Sequence, residues 1–184
     1  MNKLSAALLA LAVAAPAEAR KVAGVEFPDT IDVGGQTLRL NGAGVRKKFV
    51  FQVYVGGLYV TEASSDADAI LHADAPKRVR MVFLRDVSKS QILDAYREGF
   101  RDNSAGPGHD ALVARLAQIE PALRDMRRGS EMFVTYEPGK GTTVATAGGQ
   151  PATVEGKDFA DAMFRNWLGS KPADGNLKKS LLGR

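Results

Sequence analysis

LNGAGVRKKFVFQVYVGGLYV, residues 40–60, sets two glycines and three successive cations, Arg46, Lys47 and Lys48, at the mouth of an apolar and aromatic run. Phe49, Phe51, Val53 and Val55 alternate there with Val50, Gln52, Tyr54 and Gly56. Both sets are largely apolar, which predicts a central strand from Phe49 onward, covered on both faces. Gly42 and Gly44 are expected in a tight turn that uses glycine's positive φ. A phosphate loop would need a strand, the glycines and then a helix whose N-terminal amides face the phosphate. Here a strand follows and no Gly-Lys-Ser/Thr is present, so a nucleotide site is not expected. Alternation puts Lys47 on the face opposite Arg46 and Lys48, with Tyr54 on the side of Arg46. The cations are either a solvated strand end or contain one arginine turned inward. A buried guanidinium needs an anion, and its fork fits a carboxylate or enolate oxygen.

On either side of this stretch the pattern is strands, helices, strands, helices. Residues 22–44 read as short strands around a Gly34-Gly35 hairpin turn. Ser65 is an expected N-cap for a short helix through Ala73. KRVRMVFLRDV, residues 77–87, is a strand with Val79, Met81 and Phe83 on one face. Ser88-x-x-Gln91 is a capping box for a helix to about Asn103, with Ile92, Tyr96 and Phe100 as its apolar stripe. A further helix from about Asp110 points Leu112, Leu116, Ile119 and Leu123 inward, with Pro121 kinking or ending it. Three short strands follow over residues 131–156, then an amphipathic helix burying Phe159, Met163, Phe164 and Trp167, then a short one with Leu177 and Leu181 inward. This order predicts an α+β fold: an antiparallel β-sheet with a layer of helices on one face.

Residues 1–19 carry Lys3, an apolar run from Leu4 to Ala15, and Ala17-Glu18-Ala19, which fits the small-x-small cleavage rule. We read them as a secretory signal peptide, leaving one domain over residues 20–184 in the periplasm or outside the cell. No later segment is apolar enough for a membrane span. The net charge of +4 is interleaved along the chain, so nucleic acid is not an expected partner. The absence of cysteine excludes a lipid-anchored cysteine, a thiol nucleophile and thiolate metal sites. His72 and His109 stand in no two-histidine ligand spacing, so neither metal nor cofactor is expected. His109 is expected to be exposed. Asp94 and Glu98, with Arg97 and Arg101 nearby, read as a solvated helix face, and no serine stands in a nucleophile elbow. Tyr54, Tyr59, Tyr96 and Trp167 are amphipathic aromatics that either fill the core or line an apolar pocket.

GAGVRKKFVFQVYVGGLYV, SKSQILDAYREGF and FADAMFRNWLGSKPADGNLKKSLLG together resemble the chalcone isomerase-like family, and within it an exported bacterial branch. The resemblance covers essentially the whole chain after the signal. It implies an open-faced β-sandwich. For the plant enzymes it implies closure of a chalcone to a flavanone. There an arginine steadies the phenolate, a threonine and a tyrosine polarise the ketone with water, and an asparagine and a serine or threonine contact the far hydroxyl. Matched residue by residue, the arginine is Arg46, the threonine position is Tyr54, the tyrosine position is Ile92, the asparagine position is Gly99 and the serine/threonine position is Asn166. Only the arginine is retained, and Ile92 has no donor. Plant plastid relatives bind fatty acids with an arginine and a tyrosine at the carboxylate, a pair that Arg46 and Tyr54 would supply. The expectation is therefore non-catalytic binding of a small amphipathic acid, with Arg46, Tyr54, Ile92, Gly99 and Asn166 as ligand-binding positions. The alternatives are an isomerase acting on an unsaturated ketone and an envelope accessory or interaction protein.

Overall fold

The computed structural model describes residues 19–104, 106 and 108–184. The expected signal peptide, Ala19 apart, lies outside the described residues. A hairpin of β1 (Ala19–Val22) and β2 (Val25–Pro28) stands apart from the main sheet. That sheet is a seven-stranded antiparallel meander, in chain order β3 (Thr30–Val33), β4 (Gln36–Lys48), β5 (Phe51–Val60), β6 (Lys77–Phe83), β7 (Glu131–Glu137), β8 (Gly141–Thr146) and β9 (Ala152–Val154). Each strand pairs with its sequence neighbour. Short turns join β3 to β4, β4 to β5 and β7 to β8, whereas residues 61–76 and 84–130, which hold helices, separate β5 from β6 and β6 from β7. Gly34 and Gly35, both at positive φ, make the expected β3–β4 turn.

Residues 40–60 depart from the expected strand in three respects. Gly42 and Gly44 are not a turn; they lie inside β4, and neither has a positive φ. Their bare Cα atoms leave room for the last helix, since a Cβ at either would run into Ser180. Phe49 and Val50 do not begin the strand but form the two-residue β4–β5 turn, with Phe49 at φ 55°. Arg46 and Tyr54 therefore sit on two strands of one hairpin and pair directly across it. Alternation along the hairpin is also broken. β4 slips register near Asn41, and β5 carries an extra residue at Val53 between the Arg46–Tyr54 and Lys47–Gln52 pairs. A bulge of this kind turns two successive side chains the same way. Val53 and Tyr54 accordingly both join the helix-side core. From Val53 to Val60 the strand is buried on both faces, as expected of a central strand.

The helices are α1 (Ala67–His72), α2 (Lys89–Asn103), α3 (His109–Arg115), α4 (Lys157–Leu168) and α5 (Gly175–Leu181). Asp66, not Ser65, caps α1, because its carboxylate reaches the Asp68 and Ala69 amides. Ser88 and Gln91 form the expected capping box on α2. The stretch with Pro121 is a 3-10 turn, Leu116–Ala122, which still buries Leu116 and Ile119, and Leu123 directly after it is buried as well. His109 is only half-exposed, held near the Ser104 carbonyl at 2.9 Å. The helices cover one face of the sheet with a single large core. The opposite face is not bare. The β1–β2 hairpin lays Phe27 there against Leu38, Ala43, Val55 and Tyr59.

Candidate functional site

α5 covers β4 over Gly42 and Gly44, and its N-cap Asp174 reaches the Lys47 amide. Beyond it the sheet and helices α2 and α4 diverge around a cavity of about 60 Å³. Arg46, Tyr54, Tyr96, Asn166 and Trp167 give it a polar end, and Met81, Phe83 and Met132 an apolar wall. Neither histidine lines it.

The Arg46 guanidinium carbon stands 5.6 Å from the centre of the Tyr54 ring. Its Nε is buried with no hydrogen-bond partner. Among the described residues no carboxylate lies within ion-pair distance of it. Asp174, one of the nearer acids, is already engaged: its oxygens accept from the Asn176, Leu177 and Lys47 amides at 2.7, 3.1 and 2.7 Å. A buried guanidinium N–H without an acceptor is costly, and an anionic ligand oxygen would offset that cost.

Trp167 Nε1 donates to the Tyr54 hydroxyl oxygen at 2.8 Å. The Tyr54 proton remains available for another acceptor. Burial pushes the Tyr54 hydroxyl above its ordinary range, against the opposing pull of Arg46 and of the Trp167 hydrogen bond. Tyr96 is pushed well above the ordinary range, chiefly by burial and then by Tyr54. Both hydroxyls are thus neutral donors at neutral pH, facing a permanently charged arginine.

Arg46, Tyr54, Ile92 and Asn166 all line this cavity. Gly99 does not; it borders an adjoining outer groove, which also touches Arg46 and Asn166. A Cβ at Gly99 would overlap the Asn166 amide oxygen, so this glycine makes room for a neighbour. Asn166 cannot donate into the cavity, because its amide N–H groups are spent on the Met163 and Ala162 carbonyls at 2.7 and 3.3 Å. Ile92 contributes only apolar surface. One turn along α2, Tyr96 brings a phenol into the same cavity, a role that the i, i+4 spacing from Ile92 foreshadows. Tyr59, by contrast, belongs to the opposite face with Phe27. Met81 and Phe83 share a strand face as expected, but their place beside Met132 in the cavity wall comes from the pairing of β5, β6 and β7 and is not visible in the local pattern. Among the described residues no group of three or more metal-ligating side chains comes together, and no helix is long and apolar enough to cross a membrane.

The sequence profile of the chalcone isomerase-like family matches residues 19–183, and the chain belongs to that family. Among solved structures it is similar to a fatty-acid binding protein of Arabidopsis thaliana. The two share 17% identity at a TM-score of 0.66, over 86% of this chain and 92% of the other. At that identity the likeness establishes the fold. No curated protein matches by sequence.

Proposed function

We propose that this domain binds a small amphipathic carboxylic acid of the fatty-acid class without transforming it. The observation that carries the reading is the buried Arg46 Nε without a partner, set beside two neutral tyrosine hydroxyls at the polar end of an apolar cavity. The carboxylate accepts from Arg46 and from Tyr54 or Tyr96, and the chain runs toward Met81 and Met132. Support comes from the fold shared with a fatty-acid binding protein. The cavity, at about 60 Å³, is smaller than the roughly 300 Å³ at which ligand pockets usually begin. It takes the head group and its first carbons as it stands. A longer chain displaces the methionine side chains, which are unbranched and repack at low cost.

An isomerase has less support. Ile92 offers no hydroxyl to polarise a ketone, and the Asn166 N–H groups are already engaged. We further infer that residues 1–19 are a cleaved signal, placing the domain in the periplasm or outside the cell. N-terminal sequencing of the mature protein should begin at Arg20. The binding reading is tested by native mass spectrometry and thermal shift with palmitate. A one-to-one complex and a raised Tm are expected. The absence of both, with protein shown to be folded, would overturn it.

A further inference from the structure

Among the described residues the large hydrophobic side chains left exposed are Phe49, Val50 and Phe51, at 88, 86 and 54% exposure. They are consecutive and occupy one place, the tip of the β4–β5 hairpin. Phe49 also holds a positive φ of 55°, where glycine or asparagine is the usual occupant and an aromatic residue costs on the order of 1–3 kcal/mol. The tip therefore carries both a solvation cost and a backbone cost that the isolated fold does not recover.

Cations surround it. Lys47, Lys48 and Arg85 are exposed, and none has an ion-pair partner among the described residues. The Arg85 guanidinium carbon lies 4.5 Å from the centre of the Phe51 ring. The acids nearby are Asp174, which accepts from the Lys47 amide at 2.7 Å, and Asp86, Asp94 and Glu98, which border a groove beside the tip. Asp86 accepts from the Arg128 amide at 2.9 Å, and Asp94 faces Arg97 at 3.3 Å.

We infer that this hairpin tip docks the protein on an anionic lipid bilayer, Phe49 and Val50 entering the interface and Lys47, Lys48 and Arg85 resting on the head groups. Aromatic and aliphatic side chains ringed by lysine and arginine match that surface chemically. A second protein fits less well, since a stable protein–protein contact takes roughly 20–30 residues a side around an apolar centre, and the exposed large hydrophobics here are three consecutive residues at one hairpin tip. The tip also borders a groove of about 320 Å³ that shares Arg46, Val53 and Gln91 with the cavity described above. Docking thus sets the cavity mouth against the bilayer. Only this last consequence, a ligand taken from the membrane, rests on the binding reading above.

The test is flotation of the chain from Ala19 onward, which holds the whole described fold, with vesicles of equimolar phosphatidylglycerol and phosphatidylcholine and no fatty acid added. Binding is expected, lost in pure phosphatidylcholine and weakened by salt. Replacing Lys47 and Lys48 by serine should weaken it roughly fivefold per cation. A Phe49→Ser, Val50→Ser variant, with an unchanged melting curve, should lose roughly tenfold or more. A Val50→Trp probe should be quenched by brominated acyl chains. The inference fails if the unaltered protein stays unbound, if the Phe49→Ser, Val50→Ser variant binds as well as the parent, or if that variant instead turns a dimer into a monomer in sedimentation velocity. Palmitate uptake measured without vesicles reports separately on the cavity.

Discussion

Trp167 on α4 donates its indole N–H to the hydroxyl of Tyr54 on β5 at 2.8 Å, tying the helical layer to the sheet at the polar end of the cavity. Both residues are nearly inaccessible to solvent, at 3 and 6% exposure. Trp167→Phe leaves the Tyr54 hydroxyl with one partner fewer in a buried setting, and should cost about 1–3 kcal/mol in urea denaturation. Tyr54→Phe orphans the indole N–H and should cost a similar amount. The double variant should cost less than the two single losses together, because the shared bond is lost only once.

The two tyrosines also fix an alkaline limit. Their folded-state pKa values are raised, first of all by burial. A raised pKa contributes stability that is present below the unfolded value of 10.0 and is lost as pH rises beyond it. Stability should therefore be insensitive to these groups near neutrality and fall above pH 10, by up to about 1.4 kcal/mol per pH unit for each tyrosine. Tyr96→Phe should flatten that fall, which denaturation across the alkaline range checks.

Gly42 and Gly44 make a third case. Gly42→Ala puts a methyl group against the Ser180 and Leu181 carbonyls, which are backbone atoms and cannot swing away. The expected loss is about 1–3 kcal/mol, with α5 becoming more open to protease. Gly175→Ala, which meets no atom within 4 Å, serves as the control and should be nearly neutral.

Much of this molecule was legible in the residues. The Gly34-Gly35 turn, the Ser88–Gln91 capping box and the stripe of Phe159, Met163, Phe164 and Trp167 are local features, and local physics produces them. The geometry of the candidate site was legible in part. Arg46, Tyr54, Ile92 and Asn166 do share one cavity, although periodicity alone left Arg46 undecided. What escaped was non-local. The bulge at Val53 breaks the two-residue alternation, and nothing in the order Gln52-Val53-Tyr54 announces it. The turn at Phe49 uses a residue that ordinarily belongs inside a strand. The role of Gly42 and Gly44 depends on a helix about 140 residues further along the chain, invisible until α5 is placed.

The apolar wall yields a chain-length prediction. Met132 is fully buried at the cavity's inner side. Met132→Ala should admit longer acids and shift the preferred chain length upward, at a stability cost of about 2–5 kcal/mol. Ala95→Trp should instead fill the space beside Ile92 and Tyr96 and abolish uptake. Native mass spectrometry over a series of saturated acids reads both changes.

The most direct measurement is calorimetric titration of the parent protein and Arg46→Gln with palmitic acid and with its methyl ester. The ester keeps the chain and loses the charge. If Arg46 receives a carboxylate, the parent should prefer the acid by at least about tenfold, as expected for a hydrogen bond to a charged group, and Arg46→Gln should bind acid and ester alike. Equal affinity of the parent for acid and ester, or an acid preference that survives in Arg46→Gln, would contradict an anion-binding Arg46.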